Sequence, residues 1–273
     1  MVALRPFSLI VAIATCGLGI VLAVTTGPVE IRIAAAIMAA GLLLQAGVNL
    51  INDHADLARL RIEGAARDAI VRHARLGAIA IALACLIGLW LVSLRGWPLL
   101  LLGMVGVLGL WGYAAEPVNL KGRGLGIPAV FLLTGVLMVS GAYYAASGAM
   151  VVDVIAWSLP FSAFAALLLL ANELRDFEED QRDGHRTLTV RMGYAAAARI
   201  YCLLALTIAL ATLGLALAFR LPLLVLATTP LAALPFALLG LDSVGRRPLA
   251  RRTGRGYALF SALFLVFLWI NKL

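Results

Sequence analysis

Apolar residues run along this chain in long blocks, at about 7–26, 31–51, 73–94, 97–115, 125–147, 152–172, 195–218, 221–241 and 256–271, each ended by charge or by Pro and Gly. A helix needs about 20 mainly apolar residues to cross a hydrocarbon core about 30 Å thick. The blocks therefore predict about nine membrane-spanning helices, because a helix satisfies its own backbone groups where no water can reach them. Only Ser93-Leu94-Arg95-Gly96-Trp97 separates the third block from the fourth, and only Phe219-Arg220-Leu221-Pro222 the seventh from the eighth. Both pairs read as tight helical hairpins. Little of the 273 residues is left for a soluble region, so the expected architecture is all-α, a polytopic membrane bundle forming one domain over 1–273.

Composition agrees. The chain is 63% hydrophobic and only 13% charged, where a soluble domain carries about 25% charged residues. The first block begins directly after Arg5-Pro6, with no small-residue cleavage site behind it, and is expected to be a retained helix. Cys16, Cys85 and Cys202 lie inside apolar blocks with no ligand-type spacing, which excludes a disulfide framework or a zinc site and leaves them as small packing residues.

Charge adds an orientation. Short cytoplasmic loops retain Lys and Arg. With nine spans and a cytoplasmic N-terminus, every basic residue except Arg32, Arg95, Arg220 and Lys272 falls on the cytoplasmic side. The net charge of +8 then needs no nucleic-acid partner to explain it, and the Arg246–Arg255 run is accounted for by orientation and contact with anionic lipid. The acids follow the same side. Only Glu30 and Asp153 of the 14 lie opposite, so both signs of charge gather at one face, as a polar site there requires.

Two segments carry that site. The second block runs into Asn49-Leu50-Ile51-Asn52-Asp53-His54-Ala55-Asp56, where Asn49, Asn52, Asp53 and Asp56 share one helical face. The sixth runs into Asn172-Glu173-Leu174-Arg175-Asp176-Phe177-Glu178-Glu179-Asp180, where Asn172, Asp176 and Asp180 recur every fourth residue. Each cluster ends an even-numbered span. The simplest arrangement is two four-helix pseudo-repeats plus one helix, with the carboxylates facing each other across a central cavity that opens near the cytoplasmic face.

Opposed carboxylates repel unless a cation sits between them. Mg²⁺, a hard ion usually held by one or two carboxylates together with substrate phosphates, suits such a site. Paired with nearby Arg or Lys, it would neutralise a diphosphate leaving group, while an isoprenoid tail enters from the bilayer and rests against apolar walls. Simpler roles cover the neighbours. Arg175 and Glu179 have the spacing of a structural ion pair, His54 points off the acidic face, His185 lies in a loop as a solvated or capping residue, and His73 only begins a span.

With these motifs the chain resembles the UbiA superfamily of intramembrane prenyltransferases. Asn52 to Asp56 is similar to the start of that family's first motif, NDxxDxxxD, and Asp176 to Asp180 to its second, DxxxD. Arg5-Pro6-Phe7-Ser8 resembles its opening segment, and Tyr113 to Pro117 with Leu120-Lys121 and Gly124-Leu125-Gly126 its fourth loop. Gly141-Ala142-Tyr143-Tyr144 and the run from Asn172 to Gly193 look most like the branch that prenylates 1,4-dihydroxy-2-naphthoate for menaquinone. Leu60 stands where the first motif ends in an acid, and Ile127 where that branch commonly has glutamate.

The resemblance implies that Asp53, Asp56, Asp176 and Asp180 hold Mg²⁺ and that Asn49, Asn52 and Asn172 support the site. It further implies that Arg59, Lys121 and Arg123 meet the diphosphate and that Tyr113 lines a substrate pocket. The expected partners are a prenyl diphosphate, an aromatic acceptor and membrane lipid, with no obligatory protein partner. Two rivals remain open at this point. One is a terpene cyclase using the same ionisation without an acceptor, and the other a transporter using the acids for ion coupling.

Overall fold

The structure, a computed structural model, describes residues 6–55 and 64–271, with the backbone alone at 6–8, 52–55, 66 and 114. Helices dominate. Along the chain come α1 (Pro6–Thr26), α2 (Ile31–Ala55), α3 (Gly64–Arg95), α4 (Trp97–Ala114), α5 (Gly126–Ser147) and α6 (Asp153–Arg175). After two short helices, α7 (Phe177–Arg182) and α8 (Leu188–Met192), follow α9 (Tyr194–Ala218), a 3₁₀ segment over Pro222–Gly240, and α10 (Leu249–Ile270). Among the described residues, eight of these segments are long and apolar enough to cross a bilayer. The ninth expected span, over 97–115, corresponds to α4, which is apolar along its described residues Trp97–Tyr113.

Two spans depart from plain α geometry. The expected helix over 221–241 is wound as 3₁₀, because Pro222, Pro230 and Pro235 each lack the N–H that an α ladder needs. In α5, Phe131–Leu137 forms a π turn. Such turns often mark functional sites, and here Leu133, Thr134 and Leu137 of the turn line the central cavity.

Packing places α6 at the centre. Of its span 78% is buried, against 22% for α3, as expected of a helix apolar on every side enclosed by others. Phe161 and Phe164 of α6 meet an aromatic ladder on α10: Phe161 sits edge-on to Phe264 with centroids 5.0 Å apart, and Phe164 stacks on Tyr257 at 4.8 Å. At the periphery, α2 and α3 approach backbone to backbone. A Cβ on Gly47 would lie 2.8 Å from the Gly77 carbonyl oxygen, and one on Gly77 equally close to that of Gly47. Lipid offers no hydrophobic drive between helices, so such small-residue contact supplies the van der Waals attraction. The same pairing recurs in the second half, where α6 packs most extensively on α9. Cys16 is buried as expected, whereas Cys85 and Cys202 are exposed.

Candidate active site

A cavity of about 1170 Å³ lies between α2, α3, α4, α5 and α6. Its walls are almost wholly Leu, Val, Ala, Gly and Met, and its charged and amide groups sit at one end. Asn49 closes the last turns of α2, Tyr113 ends α4, Lys121 follows it, and Asn172 and Arg175 end α6. These are helix ends carrying the basic loops. An amphiphile with a long apolar tail and an anionic head matches this division.

Local structure fixes each polar group. Past α4 the chain folds back, with Leu120 N donating to Gly112 O at 3.0 Å and Lys121 N to Tyr113 O at 2.9 Å. That hairpin is pinned from the next loop: Arg191 donates to the Gly122 carbonyl at 3.0 Å and lies across Gly124. Gly124, at φ +77°, adopts a left-handed conformation that side chains disfavour, and a Cβ there would come within 2.6 Å of the Arg191 chain.

Glu173, one residue past Asn172, is buried and accepts from both the backbone N–H and the hydroxyl of Thr189, each at 3.1 Å. Its other oxygen and the Tyr113 hydroxyl both border Gly126, at 3.7 and 3.6 Å from where a Cβ would stand.

The helix breaks at Asp176, yet the four-residue register survives. Asp176 N donates to Asn172 O at 3.0 Å and Asp180 N to Asp176 O at 2.8 Å, which keeps the three side chains stacked. Because α6 ends at Arg175, the expected pairing with Glu179 does not form. Arg175 instead grips Asp176 bidentately, at 2.6 and 2.5 Å. Burial pushes the Asp180 carboxyl above the usual carboxylate range and the nearby Asp176 adds to the push, against the pull of His185, Lys121 and the Thr187 hydroxyl. His185 also caps this turn through its N–H to Asp180 O, at 2.8 Å. Glu178 behaves oppositely. Partial burial disfavours its charge, but the Arg246 guanidinium outweighs that and holds its carboxyl below the ordinary range.

Asn49, Tyr113, Lys121 and Asn172 are thus brought to one end of the cavity, beside Asp176 and Asp180. Arg123 is not brought there; it is exposed and donates to the Pro117 carbonyl at 2.6 Å. Asn52 and Asp53 lie on the last turn of α2 with only their backbone described, and Asp56 and Arg59 lie outside the described residues. Sequence spacing missed Gln45, which lines the cavity one turn before Asn49 and extends its amide face, and Arg251 at the start of α10. It also misplaced Arg246. That residue, expected to serve orientation and lipid contact, is 4% exposed and bonded to Glu178.

Among the described residues no group of three or more His, Cys, Asp or Glu is arranged to hold a metal. The donor chemistry nonetheless fits a hard cation, since Asp176 and Asp180 stand one turn apart and the Asn172 NH₂ is committed to Leu168 O at 2.9 Å, leaving the amide oxygen for a ligand.

Fold and site together define a multi-pass membrane protein with an intramembrane cavity, apolar along its length and bordered at one end by amides and cations. Residues 11–271 match the UbiA prenyltransferase family, and the chain belongs to it. It is 28% identical over 291 residues to the 1,4-dihydroxy-2-naphthoate octaprenyltransferase of Escherichia coli, covering 98% of this chain and 94% of that one. Against the protein of the same description from Bacillus subtilis the identity is 27% over 207 residues, covering 71% of this chain and 65% of the relative's length. A UbiA homolog from Archaeoglobus fulgidus bound to GPP and Mg²⁺ shares the fold, with a TM-score of 0.70 at 17% identity over 98% of this chain and 96% of that one.

Proposed function

We propose that this protein transfers a polyprenyl group from its diphosphate to an aromatic quinone precursor of the dihydroxynaphthoate type, at a Mg²⁺-dependent site on the cytoplasmic side of the membrane. The observation that carries this reading is the cavity, whose apolar length suits an isoprenoid tail and whose polar end gathers Asn49, Lys121, Asn172 and Arg175 beside Asp176 and Asp180. The naphthoate specified by the E. coli and B. subtilis relatives supports the acceptor class, and the GPP and Mg²⁺ bound by the A. fulgidus homolog support the donor and the metal. None of these relatives supports acceptor-free cyclisation.

In this mechanism Asp176 and Asp180, with Asp53 on the last turn of α2 and Asp56 three residues further along the sequence, would hold the metal, and Asn49, Asn52 and Asn172 would steady the head group. Bound Mg²⁺ supplies Lewis-acid neutralisation of the departing diphosphate. Lys121 and Arg59 balance the remaining phosphate charge as the carbon–oxygen bond breaks. The apolar walls exclude water from the allylic cation until a ring carbon of the acceptor attacks it, and that carbon then releases the carboxylate it carried as CO₂. Tyr113, with its hydroxyl near Gly126, borders the place where that ring would lie.

Membranes containing the protein, given Mg²⁺, a panel of prenyl diphosphates and dihydroxynaphthoate-type acceptors, should form products heavier than the acceptor by one prenyl group less the atoms it displaces. Chelation of Mg²⁺ and Asp176→Asn should each abolish them. Undiminished product from Asp176→Asn refutes the assigned role.

A further inference from the structure

The helix that presents the second aspartate pair cannot hold itself in place. α7 has six residues, none of them buried. Isolated helices shorter than about 12 residues are marginal in water, so tertiary contacts must fix it. On one flank the Phe177 ring meets the Tyr194 ring of α9, edge-on with centroids 5.6 Å apart. Glu178 lies between Asp176 and Asp180 in sequence and so projects about the far side of the turn from both.

There Glu178 receives two hydrogen bonds from one nitrogen of Arg246, that to Oε2 at 2.6 Å. The guanidinium is itself fixed. Its Nη1 donates to Leu241 O at 2.7 Å, its plane centre lies 4.3 Å from the centre of the Tyr194 ring, and Tyr194 in turn donates its hydroxyl to Leu239 O at 2.8 Å. The Arg246 side chain is 5% exposed and that of Glu178 44%. A guanidinium this deeply buried, with Nε lacking a hydrogen-bond partner among the described residues, is not a lipid-facing charge. It is a strut from the loop before α10 to the back of the aspartate helix.

From this geometry we infer that Arg246 and Glu178 are positioning residues, a clamp that sets the spacing of the Asp176 and Asp180 carboxylates for the cation and thereby couples the last loop of the chain to the site. The inference rests on the proposed reading that these aspartates bind Mg²⁺. The clamp acts behind the aspartates and touches neither substrate. Weakening it should loosen the cation site more than it slows the reaction at saturating metal.

The test compares the full-length protein in lipid nanodiscs with Glu178→Gln, Arg246→Gln and the double variant. Mn²⁺ binding is read by electron paramagnetic resonance without substrate, hydrogen–deuterium exchange is read over residues 176–187, and the Mg²⁺ concentration for half-maximal transfer is measured. Each single variant should weaken Mn²⁺ binding and raise the half-maximal Mg²⁺ about tenfold or more, accelerate exchange over 176–187, and leave kcat at saturating Mg²⁺ within about threefold. The double variant should be no worse than either single one, since partners in one contact are not additive. Arg246→Lys, which keeps the charge but loses the second nitrogen anchored on Leu241 O, should fall between. Should Arg246→Gln fail to fold, Glu178→Gln, with its half-exposed site, decides the matter alone. Mn²⁺ binding unchanged by Glu178→Gln, or single effects that sum in the double variant, overturns the clamp. If the wild type binds no Mn²⁺ and transfers nothing, it is the metal site that fails.

Discussion

Replacing Glu173 by alanine and by glutamine separates two things this buried carboxylate does. It sits 6% exposed near the end of α6, and its Oε2 is the acceptor for both the N–H and the hydroxyl of Thr189, a residue with no exposed surface. Alanine removes the acceptor and strands that backbone N–H, whose burial without a partner costs about 1–3 kcal/mol. Removing a buried charge relieves some desolvation and offsets part of that loss. The orphaned donor should win, leaving a net destabilisation of about 2 kcal/mol, roughly thirtyfold in the folding equilibrium. Glutamine keeps an oxygen where both donors can reach it, and should cost no more than about 1 kcal/mol. Denaturant titration in mixed micelles, followed by tryptophan fluorescence, measures both values. Activity should follow stability, because Thr189 anchors the helix from which Arg191 holds Gly122, the neighbour of Lys121. Alanine should therefore raise KM for the prenyl diphosphate more than glutamine does. If Glu173→Ala unfolds at the same denaturant concentration as the wild type, the Thr189 bonds do not hold this loop and the reasoning fails.

Other outcomes follow from the same geometry. Lys121→Gln should raise KM for the prenyl diphosphate by about ten- to a hundredfold, the worth of one charge-assisted bond, while Arg123→Gln, whose side chain caps its own loop, should change it less than twofold; equal effects would contradict the placement of Arg123. Gly141 lines the cavity and a Cβ there meets nothing within 4 Å. Gly141→Leu should fold normally yet cut kcat/KM for the longest prenyl donors about tenfold or more relative to short ones, as a chain-length panel would read. Gly135 is the reverse case: its Cβ would fall 2.6 Å from the Ser162 Cα, about 1 Å inside normal contact. Gly135→Ala should cost about 1–3 kcal/mol by thermal unfolding in detergent, and Ser162→Gly should recover only part of it, because the Cα remains.

Much of the site was legible because its signals are local. Asn172, Asp176 and Asp180 share a face by spacing alone, and their hydrogen-bond register persists through a break in the helix. Asn49 and Tyr113 lie near the ends of helices whose lengths are set by apolar runs, and Lys121 folds back onto Tyr113, so they reach the same end of the cavity. Arg175 was read wrongly for an equally local reason. Pairing with Glu179 assumes an unbroken helix, and the chain turns at Asp176.

By itself, then, the sequence determined the membrane bundle, the gathering of polar groups at helix ends, and the aspartate face. Hydrophobic length and helical spacing are properties of consecutive residues, and a bilayer leaves the backbone little else to do. Tertiary structure alone decided what the remaining charges are for. Arg246 looks like one more member of a basic loop, and only the fold brings Glu178, 68 residues earlier, against it. The outward turn of Arg123 was settled in the same way, by backbone geometry that no run of residues displays.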